Sequence, residues 1–184
     1  SYVVQISKLK NEVYELRIDA ILGIGGGKVL DLSKRISLLF GAELFVFPTV
    51  ISNDGLFSPV AVMEDDDGKS LSLKGRQPDS LYVDISIIEN APDLYLNSAI
   101  GDFLTNISAC NDWILAHRNN VESFNSYAYF ISRQSALDVL LFDKQLRKED
   151  LIKKISYPGL LFFDRFAYTT QVLMSRRFSE NSKS

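Results

Sequence analysis

Cysteine and histidine are nearly missing from this sequence: one of each, Cys110 and His117, in 184 residues. A single cysteine excludes an internal disulfide framework, a thiolate zinc cluster and an iron–sulfur centre. It points to a reducing, cytoplasmic setting. A single histidine excludes a metal site with two or three imidazoles from this chain, and no Ser-His-Asp or Cys-His arrangement is indicated. An excess of basic charge is also absent. The 20 Lys and Arg face 23 Asp and Glu, for a net charge of −3, and there is no basic run, which excludes the usual footprint of a nucleic-acid binder. No apolar run reaches the roughly 18 residues of a membrane-spanning helix. The start, Ser1-Tyr2-Val3-Val4, lacks the charged and apolar regions of a signal peptide. It also lacks an initiator Met and lies close to a regular element, so a piece of a longer protein is expected.

What is present is a globular composition, 46% apolar and 23% charged, with enough chain for one large domain or two small ones. Ile6, Leu9, Val13 and Leu16 predict a helix over 6–16. Ala20-Ile21-Leu22-Gly23-Ile24 is a compact apolar run that suits a strand buried on both faces. Gly25, Gly26 and Gly27 follow, then a helix with Val29, Leu32, Ile36 and Leu39 as its inner stripe and Gly41 as its stop. Leu44 to Phe47 reads as a second strand, parallel to the first, in a right-handed βαβ unit. Residues 60–63 and 70–73 flank an acidic turn ending in Asp67-Gly68 and predict a hairpin. Leu81 to Val83 is a further short strand. From Pro92 onward glycine is rare and long helices are expected over about 93–117, 124–145 and 149–173. The fold class is therefore α/β, a partial parallel Rossmann-like sheet with a β-hairpin, followed by an all-helical part. The expected domains are 1–91 and 92–184.

Chemistry has three candidate locations. The first is Gly25-Gly26-Gly27-Lys28, between a buried strand and a helix start, where backbone amides and the helix dipole favour an anion. It matches neither the Gly-x-Gly-x-x-Gly fingerprint nor a P-loop, so a dinucleotide would bind there in another style. The second is the loop Pro48 to Gly55, which leaves the same sheet edge and offers Thr49, Ser52 and Asp54. The third is Asp102, a carboxylate in an otherwise apolar helical stretch, where Gly101 would permit close approach of another group. The run Glu64 to Asp67 suits a solvated turn better than a metal site. His117 suits a helix C-terminus.

Together these segments resemble the glycerol-1-phosphate dehydrogenases, within the superfamily of iron-containing alcohol dehydrogenases and dehydroquinate synthases. Gly23 to Lys34, with Gly25-Gly26-Gly27-Lys28 followed by Asp31, is similar to their nucleotide loop. Pro48-Thr49-Val50-Ile51-Ser52-Asn53-Asp54-Gly55-Leu56-Phe57-Ser58-Pro59 is similar to their Pro-Thr-x-x-Ser-x-Asp-Gly-x-x-Ser-Pro stretch. Asp112-Trp113-Ile114-Leu115-Ala116-His117 is similar to their Asp-Trp-x-Leu-Ala-His segment. The resemblance implies an NAD or NADP phosphate loop at Gly26, Gly27, Lys28 and Asp31. It implies further cofactor contacts at Thr49, Ser52 and Ser58, a substrate contact at Asp54, and a catalytic zinc ligand that also faces substrate at Asp102. The metal would bind the substrate alkoxide and lower its pKa, and hydride would pass between glycerol 1-phosphate and dihydroxyacetone phosphate, a polyol-phosphate pair.

The sequence also departs from the family. Lys183 stands about where the second, imidazole, metal ligand belongs, and Asn53 replaces a usual histidine. An ammonium has no lone pair for a metal, so weak or absent zinc binding is expected of this chain. Two explanations stay open, a fragment of a longer enzyme or a metal-less relative that serves as a binding or assembly protein. A cyclase like dehydroquinate synthase is a third reading. An exposed sheet edge would favour a homodimer.

Overall fold

A computed structural model describes residues 17–142 and 147–161. The helix expected over 6–16, the end of the one expected over 149–173, and the tail with Lys183 lie outside these residues. The chain forms two compact units: residues 17–49 with 55–84, and residues 50–54 with those described from 85 onward.

The first unit is built on three parallel strands, β1 (Ala20–Gly25), β2 (Glu43–Pro48) and β5 (Ser80–Leu81), in the order β1-β2-β5. Ala20 lies opposite Glu43 and Gly25 opposite Pro48. Between β1 and β2 runs helix α1 (Gly27–Phe40), closed by Gly41 with a left-handed φ of 68°, as its sequence position requires. Hairpin β3 (Val60–Glu64) and β4 (Ser70–Lys74) pairs antiparallel. Its acidic connection is a solvated turn, in which Asp65 Oδ1 accepts the N–H groups of Asp67 and Lys69.

Two packing expectations need correction. Helix α1 buries Leu30, Ser33, Lys34 and Ser37, while Val29 is exposed. Leu32, Ile36 and Leu39 pack instead against Ala61 and Met63 of the hairpin. Small residues let the helix close on the sheet, so its apolar stripe serves the second layer. Strand β1 is not buried on both faces. Leu22 and Ile24 are 58% and 57% exposed, because α1 covers only the face of the alternate residues. Across from Ile24, Phe47 is exposed too and stacks on Tyr82 at 4.6 Å.

The second unit is helical: α2 (Ile85–Glu89), α3 (Asp93–Arg118), α4 (Ser126–Phe142) and α5 (Lys148–Leu161). The short α2 has no counterpart in the sequence reading; five residues are too few for a periodic signal. Pro92 opens α3 as expected. Ala109, Cys110, Trp113, Ala136, Val139 and Ile152 are buried, and Trp113 Nε1 donates to the Ser123 carbonyl at 2.9 Å. Lys148 Nζ joins the start of α5 to the Glu89 and Ala91 carbonyls and to Asp93. Among the described residues no helix is long and apolar enough to cross a membrane.

Candidate functional site

In the first unit, the turn between β1 and α1 depends on Gly25. Its φ of 153° is one that L side chains rarely adopt, and a Cβ there would lie 2.9 Å from Val29 Cβ. Gly26 is the N-cap of α1, with no side-chain cap and no acidic residue in the first turn. The positive end of the helix is therefore not neutralised from within its own sequence, the electrostatic condition for an anion at that end. Thr49 lies beside the turn, since its N–H donates to the Gly25 carbonyl at 3.0 Å. Gly23 fixes how closely α1 approaches β1. A Cβ there would come within 2.5 Å of Ser33 Oγ and 2.8 Å of Ser33 Cβ.

The charged residues of this segment face the hairpin. Lys28 Nζ pairs with Glu64 at 3.0 Å, with both side chains well exposed. Such a pair is worth only about 0–1 kcal/mol, so a phosphate can compete for the ammonium. Asp31 receives Lys34 Nζ on Oδ1 and the Val62 N–H on Oδ2, each at 3.2 Å. Both of its oxygens thus have partners inside the protein. Ser58 is buried, and its N–H donates to the Gly55 carbonyl at 3.2 Å.

The sequence reading did not single out Lys34, which is 2% exposed. Its ammonium reaches Asp31, the Gly55 carbonyl at 2.8 Å and the Val60 carbonyl at 3.2 Å. Burial holds its pKa below the usual lysine value, with the Asp31 carboxylate opposing the shift. The spacing of Asp31 and Lys34, three apart on one helix face, was the available signal.

In the second unit, Asp54 and Asp102 come together although 48 residues separate them. The Asp54 N–H donates to Asp102 Oδ2 at 3.1 Å, and Asn106 Nδ2 donates to Asp54 Oδ2 at 2.8 Å. Burial, and then the nearby Asp102 charge, push the Asp54 carboxyl up to about 7 against the opposing Asn106 hydrogen bond. Ser52 belongs to the same short segment, 50–54, and is half-buried. Gly101 does not serve close approach, because a Cβ there would meet nothing within 4 Å. His117 keeps a structural place at the end of α3, with Nδ1 3.1 Å from the Glu122 carbonyl and its ring stacked on Phe124.

The pair of carboxylates does not by itself make a zinc site. Among the described residues no third His, Cys, Asp or Glu joins them. A closed or catalytic zinc sphere takes at least three protein ligands, most of them usually nitrogen or sulfur. The described donors therefore do not fit the metal.

Residues 2–92 match the family model described as iron-containing alcohol dehydrogenase. The chain is 37% identical over 140 residues to a glycerol-1-phosphate dehydrogenase [NAD(P)+] of Thermococcus sibiricus, covering 75% of this chain and 40% of that protein. To the Archaeoglobus fulgidus protein of the same name it is 41% identical over 114 residues, covering 62% of this chain and 32% of that one. Among solved structures, a probable glycerol dehydrogenase from Sinorhizobium meliloti superimposes with a TM-score of 0.72 at 26% identity, over 85% of this chain and 48% of that one. The glycerol dehydrogenase of Schizosaccharomyces pombe, at 23% identity and a TM-score of 0.65, shares the fold over 87% of this chain and 44% of that one. The chain spans about two fifths of the length of the first of these relatives.

Proposed function

Since the chain belongs to the iron-containing alcohol dehydrogenase family, we propose that it carries the dinucleotide-binding part of an NAD(P)-dependent glycerol-1-phosphate dehydrogenase. The observation that carries this reading is the uncapped, acid-free N-terminus of α1 behind a glycine turn that tolerates no side chain at Gly25. An incoming pyrophosphate would meet the amides of Gly26 and Gly27, with Lys28 turning from Glu64 toward it. Thr49, adjacent to the turn through its backbone, and Ser58 would offer hydroxyls to the cofactor. Nicotinamide dinucleotide, when bound, supplies the hydride chemistry. The polyol phosphate would be met by Asp54 and Asp102, whose carboxyls can hydrogen-bond a substrate hydroxyl, with Asn106 holding Asp54 in place.

The relatives' names support this reading over a non-catalytic assembly role and over a cyclase. The test is calorimetric titration of NADH and of NADPH into the chain and into Gly26→Val. Saturable binding by the chain, lost in the variant, is the expected result. Absence of binding of either nucleotide at millimolar concentration would overturn the proposal.

A further inference from the structure

We infer that Lys34 is a positioning residue, gripping the backbone carbonyls on both sides of Ser58 so that this serine is presented to the cofactor; this rests on the dinucleotide reading above. A lysine 2% exposed is costly unless every proton of its ammonium finds an acceptor. Here all three have one: Asp31 Oδ1, the Gly55 carbonyl and the Val60 carbonyl. An apolar side chain of similar volume would serve stability as well or better, because a buried ion pair gains little over good packing. What an apolar residue cannot do is hold two carbonyls of one loop. Those carbonyls bracket Ser58, and Asp31 completes the grip by accepting the Val62 N–H just beyond them.

The rest of the environment is built around the same side chain. A Cβ on Gly75 would stand 2.9 Å from Lys34 Cβ, so glycine there lets the end of β4 lie over the lysine. The Gly75 N–H donates to the Pro59 carbonyl at 2.7 Å, and the Arg76 N–H to the Lys34 carbonyl at 2.9 Å. The segment 55–60 is thus held from the helix on one side and from the hairpin on the other. Its position is set by α1, the helix that also forms the glycine turn.

The experiment compares the chain with Lys34→Met and Lys34→Gln, each with and without Ser58→Ala. It reads backbone hydrogen exchange and NADH affinity; the Gln variant stands in if Met does not fold. Amides of Ser58 and Val62 are expected to exchange about tenfold faster or more, as loss of a charge-assisted hydrogen bond implies, while those of β1 and β2 keep their protection. NADH affinity is expected to fall about tenfold, and Ser58→Ala is expected to weaken binding in the chain but to add little once Lys34 is replaced. Exchange that rises evenly across the unit would overturn the inference, as would an equal Ser58→Ala effect in both backgrounds. If the unaltered chain binds no nucleotide, the dinucleotide reading falls, and the exchange pattern alone decides whether Lys34 grips the loop.

Discussion

Replacing Gly23 by alanine tests how tightly α1 is laid on β1. The new Cβ would sit 2.8 Å from Ser33 Cβ and 2.5 Å from Ser33 Oγ, with Val46 Cγ1 at an ordinary 3.6 Å. Carbon atoms rest about 3.5–4.0 Å apart, so the helix is roughly 1 Å too close. The hydroxyl can rotate only by giving up its 2.8 Å bond to the Val29 carbonyl, and Ser33 Cβ cannot move without the helix. The relief is therefore a shift of α1, and overpacking of this kind costs about 1–3 kcal/mol. Urea unfolding followed by circular dichroism measures it as a lowered midpoint at unchanged slope. Ser33→Gly removes both obstructing atoms at about 0.5 kcal/mol in helix propensity. The double variant should accordingly be more stable than the two single losses added together, by about 1 kcal/mol or more. A loss below about 0.5 kcal/mol for Gly23→Ala, or strict additivity in the double variant, would refute the reasoning.

Two further outcomes follow from the same unit. Gly25→Ala places an L side chain at a φ of 153° and 2.9 Å from Val29 Cβ; a loss of about 1–3 kcal/mol in unfolding free energy is expected, and a variant as stable as the parent would contradict the turn geometry. Asp79 joins the starts of β2 and β5, accepting the Leu44 N–H at 2.8 Å and two Arg76 donors at 3.0 Å. Burial pushes its carboxyl up, but the hydrogen bonds from Arg76 and Leu44 together hold it below the usual carboxylate value of 3.8. A native pKa below the unfolded one gives stability that is present above pH 3.8 and lost as the pH falls through the lower native value. Acid unfolding of Asp79→Asn should therefore be less steep than that of the parent in that range, and identical profiles would remove the assignment.

The strand–glycine–helix–strand unit was legible because each boundary carries its own chemistry. Gly41 stops the helix, Asp67-Gly68 turns the hairpin, and Pro92 opens α3. What periodicity could not give was the direction of each face. Leu32, Ile36 and Leu39 are an apolar stripe in any projection, but which layer they meet depends on the hairpin. That layer is contributed by residues more than twenty positions downstream. The burial of β1 was overestimated for a related reason: an apolar run reports the capacity to be covered on both faces, not the coverers. A lysine in a helix normally reads as solvent-facing, and against that default the signal for Lys34 is its spacing of three from Asp31 on one helix face.

The carboxylates illustrate the same limit in the second unit. Asp102 on its own reads as an exposed helical residue, and Asp54 as part of a polar loop. Each reading is correct for the local chain, and each is incomplete. Their meeting takes the Asp54 N–H onto Asp102 and the Asn106 amide onto Asp54, a long-range arrangement for which a single sequence has no periodic signal. It also changes what the pair can do. Burial first, and then the neighbouring Asp102 charge, push the Asp54 carboxyl up to about 7. A carboxyl that titrates near neutrality can donate a hydrogen bond in its protonated form, where an ordinary surface aspartate only accepts one.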